Sequence, residues 1–306
     1  MKILITGAKG LIGKHLVHEL NSHDYNVIGI DRQDGDLRSL DIADYLINLH
    51  KPDLVIHLAA IVGRLFGEMD PFSTVSTNAL ATLFIAKACA KYGVKYVYIS
   101  TSEAYGDHNN KFVTESDLDC LPHNLYGLTK RWGEEVSQLY YNNPQILRLS
   151  MPYGPGFPAG IGRAALVTFI WNAINDRELT VYKNSSRAWC WIGDLVSGIR
   201  MIVGNGESGL WTVGRDDNET SMLDIAKMSC DIAGKPYSLI NEIEPPPAQT
   251  LIKRLPNNRL KLIGWKPLVE LKEGIKRTYE MVKLYDIYGM PTKEVEDQIR
   301  NSYSIL

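Results

Sequence analysis

Tyr126 and Lys130 have the residue types and the spacing needed to move a proton. They lie four positions apart, so a helix would place the phenol and the ammonium on one face. A free tyrosine titrates near about pH 10, too high for a base at neutral pH, and a neighbouring positive charge lowers that pKa. The pair therefore predicts a tyrosine base that is assisted by a lysine.

A glycine-rich turn near the N-terminus is the second motif that indicates a functional site. It follows an apolar strand-like segment, 2–6, and precedes a segment with helical periodicity, 11–22. Glycines let the backbone approach a pyrophosphate, and the N-terminus of the following helix offers free N–H groups. The G-x-x-G-x-x-G spacing in this context predicts a dinucleotide site. The residues expected to contact the cofactor here are Gly7, Gly10, Leu11, Ile12 and Gly13.

Asp31 ends the second predicted strand, where a carboxylate can bind the hydroxyls of an adenosine ribose. The Asp31 carboxylate would repel a 2′-phosphate, which favours NAD over NADP. The neighbouring Arg32 could pair with that phosphate, which would favour NADP. We predict NAD. Further cofactor contacts are expected at Leu58, Ala59 and Ala60, where the third strand ends, and at Asp41 and Ile42, beside the adenine.

A hydroxyl-rich segment, Thr101-Ser102-Glu103, leaves the carboxyl end of another predicted strand. Open α/β sheets bind ligands at that edge. A hydroxyl there can bridge to the substrate oxygen that loses its proton, and Glu103 offers a carboxylate beside it. We therefore predict Thr101, Glu103, Tyr126 and Lys130 as catalytic residues, with Thr101, Ser102 and Glu103 contacting the substrate.

Strand-like and helix-like segments alternate through the first half of the chain. Strands are predicted at 2–6, 26–31, 53–58, 95–100 and 145–150, and helices at 11–22, 72–92 and 124–141. This alternation predicts an α/β fold with a doubly wound parallel Rossmann sheet. Prolines and glycines in 151–162 mark a boundary. We expect an NAD-binding domain at 1–150, to which about 185–213 returns, and a smaller, mostly helical substrate domain at 151–184 and 214–306.

The bulk composition is that of an ordinary soluble globular protein. The net charge of −2 gives no broad basic field, so nucleic acid is not an expected partner, although a local pocket could still bind a small anion. No apolar run is long enough for a membrane helix, and we expect a cytoplasmic protein. Cys89, Cys120, Cys190 and Cys230 are widely separated, which predicts reduced thiols and no metal site.

With these motifs in place, nearly the whole chain resembles the extended short-chain dehydrogenase/reductases, specifically the nucleotide-sugar epimerases, dehydratases and decarboxylases. The three glycines match that family's signature, Tyr126 and Lys130 match its catalytic pair, and Thr101 matches its active-site Ser/Thr. The resemblance also implies that Asn78 belongs to the cofactor site. Further landmarks are Tyr153-Gly154-Pro155-Gly156, Trp191-Ile192-Gly193-Asp194-Leu195 and Gly264-Trp265-Lys266-Pro267.

The same resemblance assigns the substrate contacts. Arg187 matches an arginine that contacts the substrate diphosphate, and Lys253 or Arg254 is the candidate for the second phosphate. Met151 stands where many members carry a substrate-touching Asn, which implies an altered pose of the sugar or diphosphate. Relatives commonly form homodimers through a four-helix contact that includes the tyrosine helix. Four side chains there could belong to that contact or to the core: Trp132, Val136, Leu139 and Tyr140.

The resemblance implies an NAD-dependent nucleotide-sugar epimerase that acts through a 4-keto intermediate. Ser102 stands where dehydratases usually carry Asp, and this argues against 4,6-dehydration. A decarboxylase, a dehydratase or a 4-keto-sugar reductase of the same family are the alternatives. A dinucleotide-sensing regulator without catalysis is a remoter one.

Overall fold

The computed structural model describes residues 1–106, 121–160, 164–217, 219–247, 249–253, 255–287 and 289–291. Its strands are β1 (Lys2–Thr6), β2 (Asn26–Ile30), β3 (Leu54–His57), β4 (Lys95–Thr101), β5 (Gln145–Leu149), β6 (Met151–Tyr153), β7 (Leu179–Tyr182), β8 (Ser186–Trp191), β9 (Gly209–Val213), β10 (Glu219–Ser221), β11 (Ile240–Ile243) and β12 (Ile252–Lys253).

Its helices are α1 (Leu11–Asn21), α2 (Leu40–His50), α3 (Arg64–Met69), α4 (Pro71–Val75), α5 (Ala81–Tyr92), α6 (Leu125–Tyr140), α7 (Ala165–Ile174), α8 (Ile192–Asn205), α9 (Met222–Ala233), α10 (Asn258–Leu262) and α11 (Leu271–Val282). Short 3₁₀ turns cover Ser102–Tyr105 and Tyr237–Leu239, and Ser76–Leu80 forms a π-helical turn.

Over the described residues, the central sheet has six strands in the order β2-β1-β3-β4-β5-β9, and every neighbouring pair is parallel. This confirms the predicted Rossmann-type α/β fold. The residues of β3 and β5 are all buried, as expected for strands that are covered on both faces. The chain runs from β1 outward to β2 and then returns to β3 on the other side of β1. The carboxyl ends of β1 and β3 therefore flank a topological switch point, where such sheets bind ligands.

Helices cover both faces of this sheet. On one face α5 packs against α2 and α6, and on the other α1 packs against α8. Each face has its own apolar core, with Leu16 and Ile199 on the α1 side and Leu46 and Ile85 on the α5 side. The single helix predicted at 72–92 consists of α4, the π-helical turn and α5. Since a π-turn adds a residue to the helical path, it locally changes which side chains face the core.

The C-terminal half adds two small sheets to its helices. β8 pairs with β10, β12 and β6, while β7 pairs with β11. The segment 185–213, which is predicted to return to the first domain, contributes to both regions. Its last strand, β9, pairs with β5 in the central sheet, whereas its first strand, β8, belongs to a small sheet. The domain boundaries stay a prediction.

The two late sequence landmarks contact each other. The carboxylate of Asp194, in the first turn of α8, accepts hydrogen bonds from the main-chain N–H groups of Leu268 and Val269, both at 3.0 Å. The indole N–H of Trp265 donates to the Asp194 carbonyl at 3.1 Å. These residues therefore attach the segment before α11 to α8, which is a structural role.

Cys89, Cys190 and Cys230 are buried free thiols, and Cys120 lies outside the described residues. Over the part of the chain that the structure describes, no helix combines the length and the apolar character that a bilayer crossing requires.

Candidate active site

The glycine loop connects β1 to α1 in a shape that only glycines allow. Gly7 has a φ of +73°, and a Cβ there would lie 2.8 Å from the Ala59 Cα. A Cβ on Gly13 would lie 2.3 Å from the Gly7 carbonyl oxygen. Gly10 precedes α1 and supplies no side-chain cap, so the first N–H groups of this helix stay available to a ligand. These features fit a dinucleotide pyrophosphate.

Asp31 follows β2 and lies beside this loop. Its Oδ2 accepts a hydrogen bond from the Lys9 main-chain N–H at 3.0 Å, and its Oδ1 accepts one from the Arg32 N–H at 2.9 Å. The carboxylate is therefore held at the switch-point edge, as a ribose contact requires, while Arg32 is exposed. Asp41 is exposed in the first turn of α2, and the neighbouring Ile42 is half-buried.

A buried chain of hydrogen bonds fixes the strand ends on the other side of the loop. Thr6 Oγ1 accepts from the N–H groups of Leu58 and Ala59, both at 3.2 Å, so its own proton donates to His57 Nδ1 at 2.8 Å. His57 Nε2 then donates to Thr82 Oγ1 at 3.1 Å. Burial is the main cause that lowers the pKa of His57 to about 3, so this ring is neutral. The segment of Leu58, Ala59 and Ala60 is thereby held beside the glycine loop.

Asn78 lies in the π-helical turn and is fully buried. Its side-chain amide accepts from the Ile61 N–H at 2.8 Å and donates to the Ile61 carbonyl at 2.9 Å. It also donates to Thr129 Oγ1 at 3.2 Å. Asn78 thus joins the loop after β3 to α6, which places it close to the predicted cofactor site in a supporting position.

Thr101 and Tyr126 come together at the carboxyl edge of the sheet. Thr101 ends β4, and Tyr126 lies in the first turn of α6. Burial raises the pKa of the Tyr126 phenol to about 12, while a hydrogen bond from the Thr101 side chain acts in the opposite direction. The Thr101 hydroxyl is therefore close enough to the phenol to affect its pKa, and further positive charge would be needed to make the phenol a base near neutral pH.

Lys130 is buried one helical turn after Tyr126. Burial lowers the pKa of its ammonium to about 7, partly opposed by Glu134. The Glu134 carboxylate is itself held by Arg148 in a two-point ion pair, at 2.8 and 2.6 Å. The Lys130 Nζ lies 4.3 Å from the centre of the Tyr98 ring. The lysine is therefore near its titration midpoint at neutral pH.

Glu103 forms a buried ion pair with Lys253 of β12. Its Oε2 accepts hydrogen bonds from Thr250 Oγ1 at 2.7 Å and from Asn124 Nδ2 at 3.2 Å. Burial alone would raise the pKa of Glu103, but Lys253, Thr250 and Arg187 outweigh it and lower the pKa to about 2. Glu103 is therefore a carboxylate at neutral pH and has no proton to donate.

Arg187 and Met151 lie on neighbouring strands of the small sheet. The Arg187 guanidinium is buried and donates to the carbonyls of Ser186, at 2.7 Å, of Thr250, at 2.8 Å, and of Leu251. Met151, in β6, is half-buried and packs against the core. Ser102 is buried in the turn after Thr101. Arg254 lies outside the described residues.

Two residues of this site were not predicted from the sequence. Asn124 caps α6 through a 2.9 Å hydrogen bond from the Gly127 N–H, and its amide also contacts Glu103. Thr250 reaches Glu103 from a segment 147 residues away in the chain. The cap could have been recognised from an Asn just before a helical pattern. The Thr250 contact could not, because nothing local distinguishes it.

Comparisons with known proteins show which family and which relatives this chain is similar to. Residues 3–214 match the profile described as the NAD dependent epimerase/dehydratase family. UDP-glucuronic acid decarboxylase 6 of Arabidopsis thaliana is 27% identical over 320 residues, covering 96% of this chain and 91% of the relative. A trifunctional UDP-glucose 4,6-dehydratase/UDP-4-keto-6-deoxy-D-glucose 3,5-epimerase/UDP-4-keto-L-rhamnose-reductase of the same plant is 28% identical over 316 residues. That match covers 91% of this chain and 46% of the relative, so the chain spans about half its length.

Solved structures show the same fold. The UDP-glucuronic acid 4-epimerase of Bacillus cereus, in complex with UDP-glucuronic acid and NAD, is 28% identical with a TM-score of 0.81, over 93% of this chain and 100% of that one. The UDP-glucose 4-epimerase of Thermus thermophilus, in complex with NAD, has a TM-score of 0.83 at 24% identity, over 92% and 98% of the two chains.

Proposed function

The chain belongs to the NAD-dependent epimerase/dehydratase family, and we propose that it is a nucleotide-sugar 4-epimerase that works through a 4-keto intermediate. The observation that carries this proposal is that Thr101, at the end of β4, comes together with Tyr126 and Lys130, in the first turns of α6, at the edge of the sheet where ligands bind. A family member with this set intact is an enzyme rather than a sensor.

The residues of the glycine loop and Asp31 would hold NAD. When bound, NAD supplies a hydride acceptor for the sugar carbinol and returns the hydride in the same turnover. The loop fits this role because its glycines let the backbone turn tightly against Ala59 and leave the first N–H groups of α1 without a side-chain cap.

Tyr126 is the proposed proton carrier. Its phenolate takes the proton of the C4 hydroxyl as the carbonyl forms, and the phenol returns a proton when the carbinol reforms with inverted configuration. Thr101, whose hydroxyl lies near the phenol, orients the same substrate hydroxyl. Protonated Lys130 stabilises the phenolate and so lowers the pKa of Tyr126 from its raised value. Arg187 is the proposed contact for the substrate diphosphate, and Met151 for the sugar.

Decarboxylation of a nucleotide-linked uronic acid is the second candidate. A dehydratase must protonate a leaving hydroxyl, and Ser102 stands where dehydratases usually carry the Asp for that step. The ionised Glu103 has no proton to supply in its place, so decarboxylation is favoured over dehydration. The similarity to a UDP-glucuronic acid decarboxylase over most of both chains points the same way. Both candidates share the 4-keto intermediate and differ only in the reaction that consumes it.

The test is product analysis by NMR in D₂O after incubation with NAD and either UDP-glucose or UDP-glucuronic acid. A 4-epimer without carbon-bound deuterium supports epimerisation, since the hydrogen of C4 returns to C4. Release of CO₂ with one deuterium on C5 supports decarboxylation instead. Tyr126→Phe should abolish either product while NAD binding persists. Turnover by Tyr126→Phe within about twofold of wild type would refute Tyr126 as the base.

We also propose a homodimer through α4 and α6. Leu128, Trp132 and Leu139 expose apolar surface along α6, and Phe72 adds to it from α4. Tyr140 is exposed at the end of α6, whereas Val136 is buried and belongs to the core. Light scattering should give twice the chain mass for the wild type and the chain mass for Trp132→Glu. Equal masses for the two proteins would argue against this surface.

A further inference from the structure

Tyr98 contacts Lys130 at both ends of the lysine. It lies on β4, its side chain is completely buried, and it faces α6. Its hydroxyl donates to the main-chain carbonyl of Lys130 at 3.3 Å. The Lys130 Nζ lies over the face of the same ring, 4.3 Å from its centre. One side chain therefore contacts both the backbone and the ammonium of Lys130.

The surrounding residues leave this ring little freedom. Gly133, one turn after Lys130, makes room for the phenol, because a Cβ there would lie 2.1 Å from the Tyr98 Oη. Thr82 of α5, whose hydroxyl bonds to His57 and to the Asn78 carbonyl, lies near the phenol on the other side. The ring is thus held between α5 and α6 in a fixed orientation under the ammonium.

The charge of Lys130 is finely balanced at neutral pH. Burial lowers the pKa of its ammonium to about 7, so a modest interaction decides how much of it is protonated. A cation over an aromatic face is attracted by the ring quadrupole, most strongly when both are desolvated. Among the described residues, the ionisable groups that interact with Lys130 are Glu134 on α6, Tyr98 on β4 and neutral His57 on β3, and Tyr126 precedes it by one turn of α6.

We propose that Tyr98 is a positioning residue whose ring face holds the Lys130 ammonium in the active site in its charged form. This inference rests on the proposed function, since it assumes that Lys130 assists Tyr126. Tyr98 acts only through Lys130.

Tyr96 provides a matched control. It lies two positions earlier on β4, so it faces the same side of the sheet. It is also buried, and its hydroxyl contacts Ser137 of α6 at 3.3 Å. Its ring packs edge-on against Tyr141, with 5.5 Å between the ring centres. Tyr96→Leu therefore removes a similar ring from the same sheet–helix contact but leaves the contact between Tyr98 and Lys130 intact.

The experiment measures the pKa of Lys130 by NMR in protein carrying isotope-labelled lysine, with the signal assigned by its loss in Lys130→Met. Tyr98→Leu should lower this pKa by roughly half a unit to one unit, while Tyr98→Phe and Tyr96→Leu should leave it near the wild-type value. The alkaline limb of the pH–kcat/KM profile should move by the same amount. An unchanged pKa in Tyr98→Leu, or an equal shift in Tyr96→Leu, would overturn the inference.

A second series covers the case in which Tyr98→Leu fails to fold. Trifluorophenylalanine at position 98 keeps the ring shape of the Tyr98→Phe protein and weakens its quadrupole, so the pKa of Lys130 should fall relative to Tyr98→Phe. Equal values would overturn the inference. If the pKa of Lys130 changes in these variants but the pH–rate profile does not, the contact between the Tyr98 ring and the ammonium is correct and the catalytic role of Lys130 is wrong. The two proposals can therefore fail separately.

Discussion

The ammonium of Lys253 forms a buried ion pair with the carboxylate of Glu103, joining the small sheet of the C-terminal half to the active-site edge of the central sheet. The two side chains are only 8% and 13% exposed. The pair keeps Glu103 ionised and fixes it next to Thr101.

Lys253→Met should therefore weaken both folding and catalysis. It leaves the buried carboxylate without its cation, and breaking such a pair costs roughly 3 kcal/mol or more in the free energy of unfolding. Adding Glu103→Gln should recover most of the stability in urea unfolding without recovering turnover. Lys183→Met is the control, because Lys183 and its partner Glu244 lie at the surface, where an ion pair contributes little to stability. Equal losses in the two single variants would contradict a special role for the buried pair.

Asp31→Ala should reduce NAD affinity. The variant removes a charged acceptor for the ribose hydroxyls, which corresponds to about 10-fold to 100-fold in Kd, and it should narrow the preference for NAD over NADP. Arg32→Ala is the matched neighbour and should leave NAD affinity unchanged. Calorimetric titration with both dinucleotides measures these constants. A wild-type protein that prefers NADP would show that our assignment of Asp31 is wrong.

Gly133→Ala should destabilise the protein although alanine favours helix. The added Cβ would meet the buried Tyr98 ring, with the Oη 2.1 Å and the Cζ 2.5 Å away. Such overpacking costs roughly 1–3 kcal/mol and outweighs a propensity gain of about 1 kcal/mol. Gly204→Ala in α8 is the control, because its Cβ would have an ordinary 3.5 Å contact with the Tyr25 Oη. That variant should be neutral or more stable in thermal unfolding. A stabilised Gly133→Ala would mean that Tyr98 does not lie against α6.

Acidification from pH 7 to pH 5 should destabilise the protein through buried histidines. Burial lowers the folded-state pKa of His57 from 6.5 to about 3 and that of His15 to about 4. In this window the unfolded chain binds more protons than the folded one, so stability falls as the pH falls. His57 alone accounts for about 2 kcal/mol at pH 5.

Urea unfolding at the two pH values measures this effect. His57→Gln, which keeps a polar side chain between Thr6 and Thr82, should reduce the difference between them. His23→Gln, at the surface, should not. A wild-type protein that is equally stable at both pH values would contradict the assigned protonation states.

The sequence by itself determined the parts of this protein that depend on local spacing. Gly7 and Gly13 follow a short apolar strand, and the recurrence of strands and helices gives the parallel sheet. Tyr126 and Lys130 share a helix face because their separation is close to one turn. Each of these features is encoded within a few residues, so it can be recognised before any tertiary contact is known.

Only the tertiary structure decided which side chains meet. The interaction of Lys253 with Glu103 joins residues 150 positions apart, and the three carbonyls that bind Arg187 include two from the segment before β12. The position of Tyr98 under Lys130 depends on how closely α6 approaches β4. Hydrophobic periodicity predicts which face of an element is buried, but it carries no information about which residue of another element lies opposite, because that is set by the packing of the whole chain.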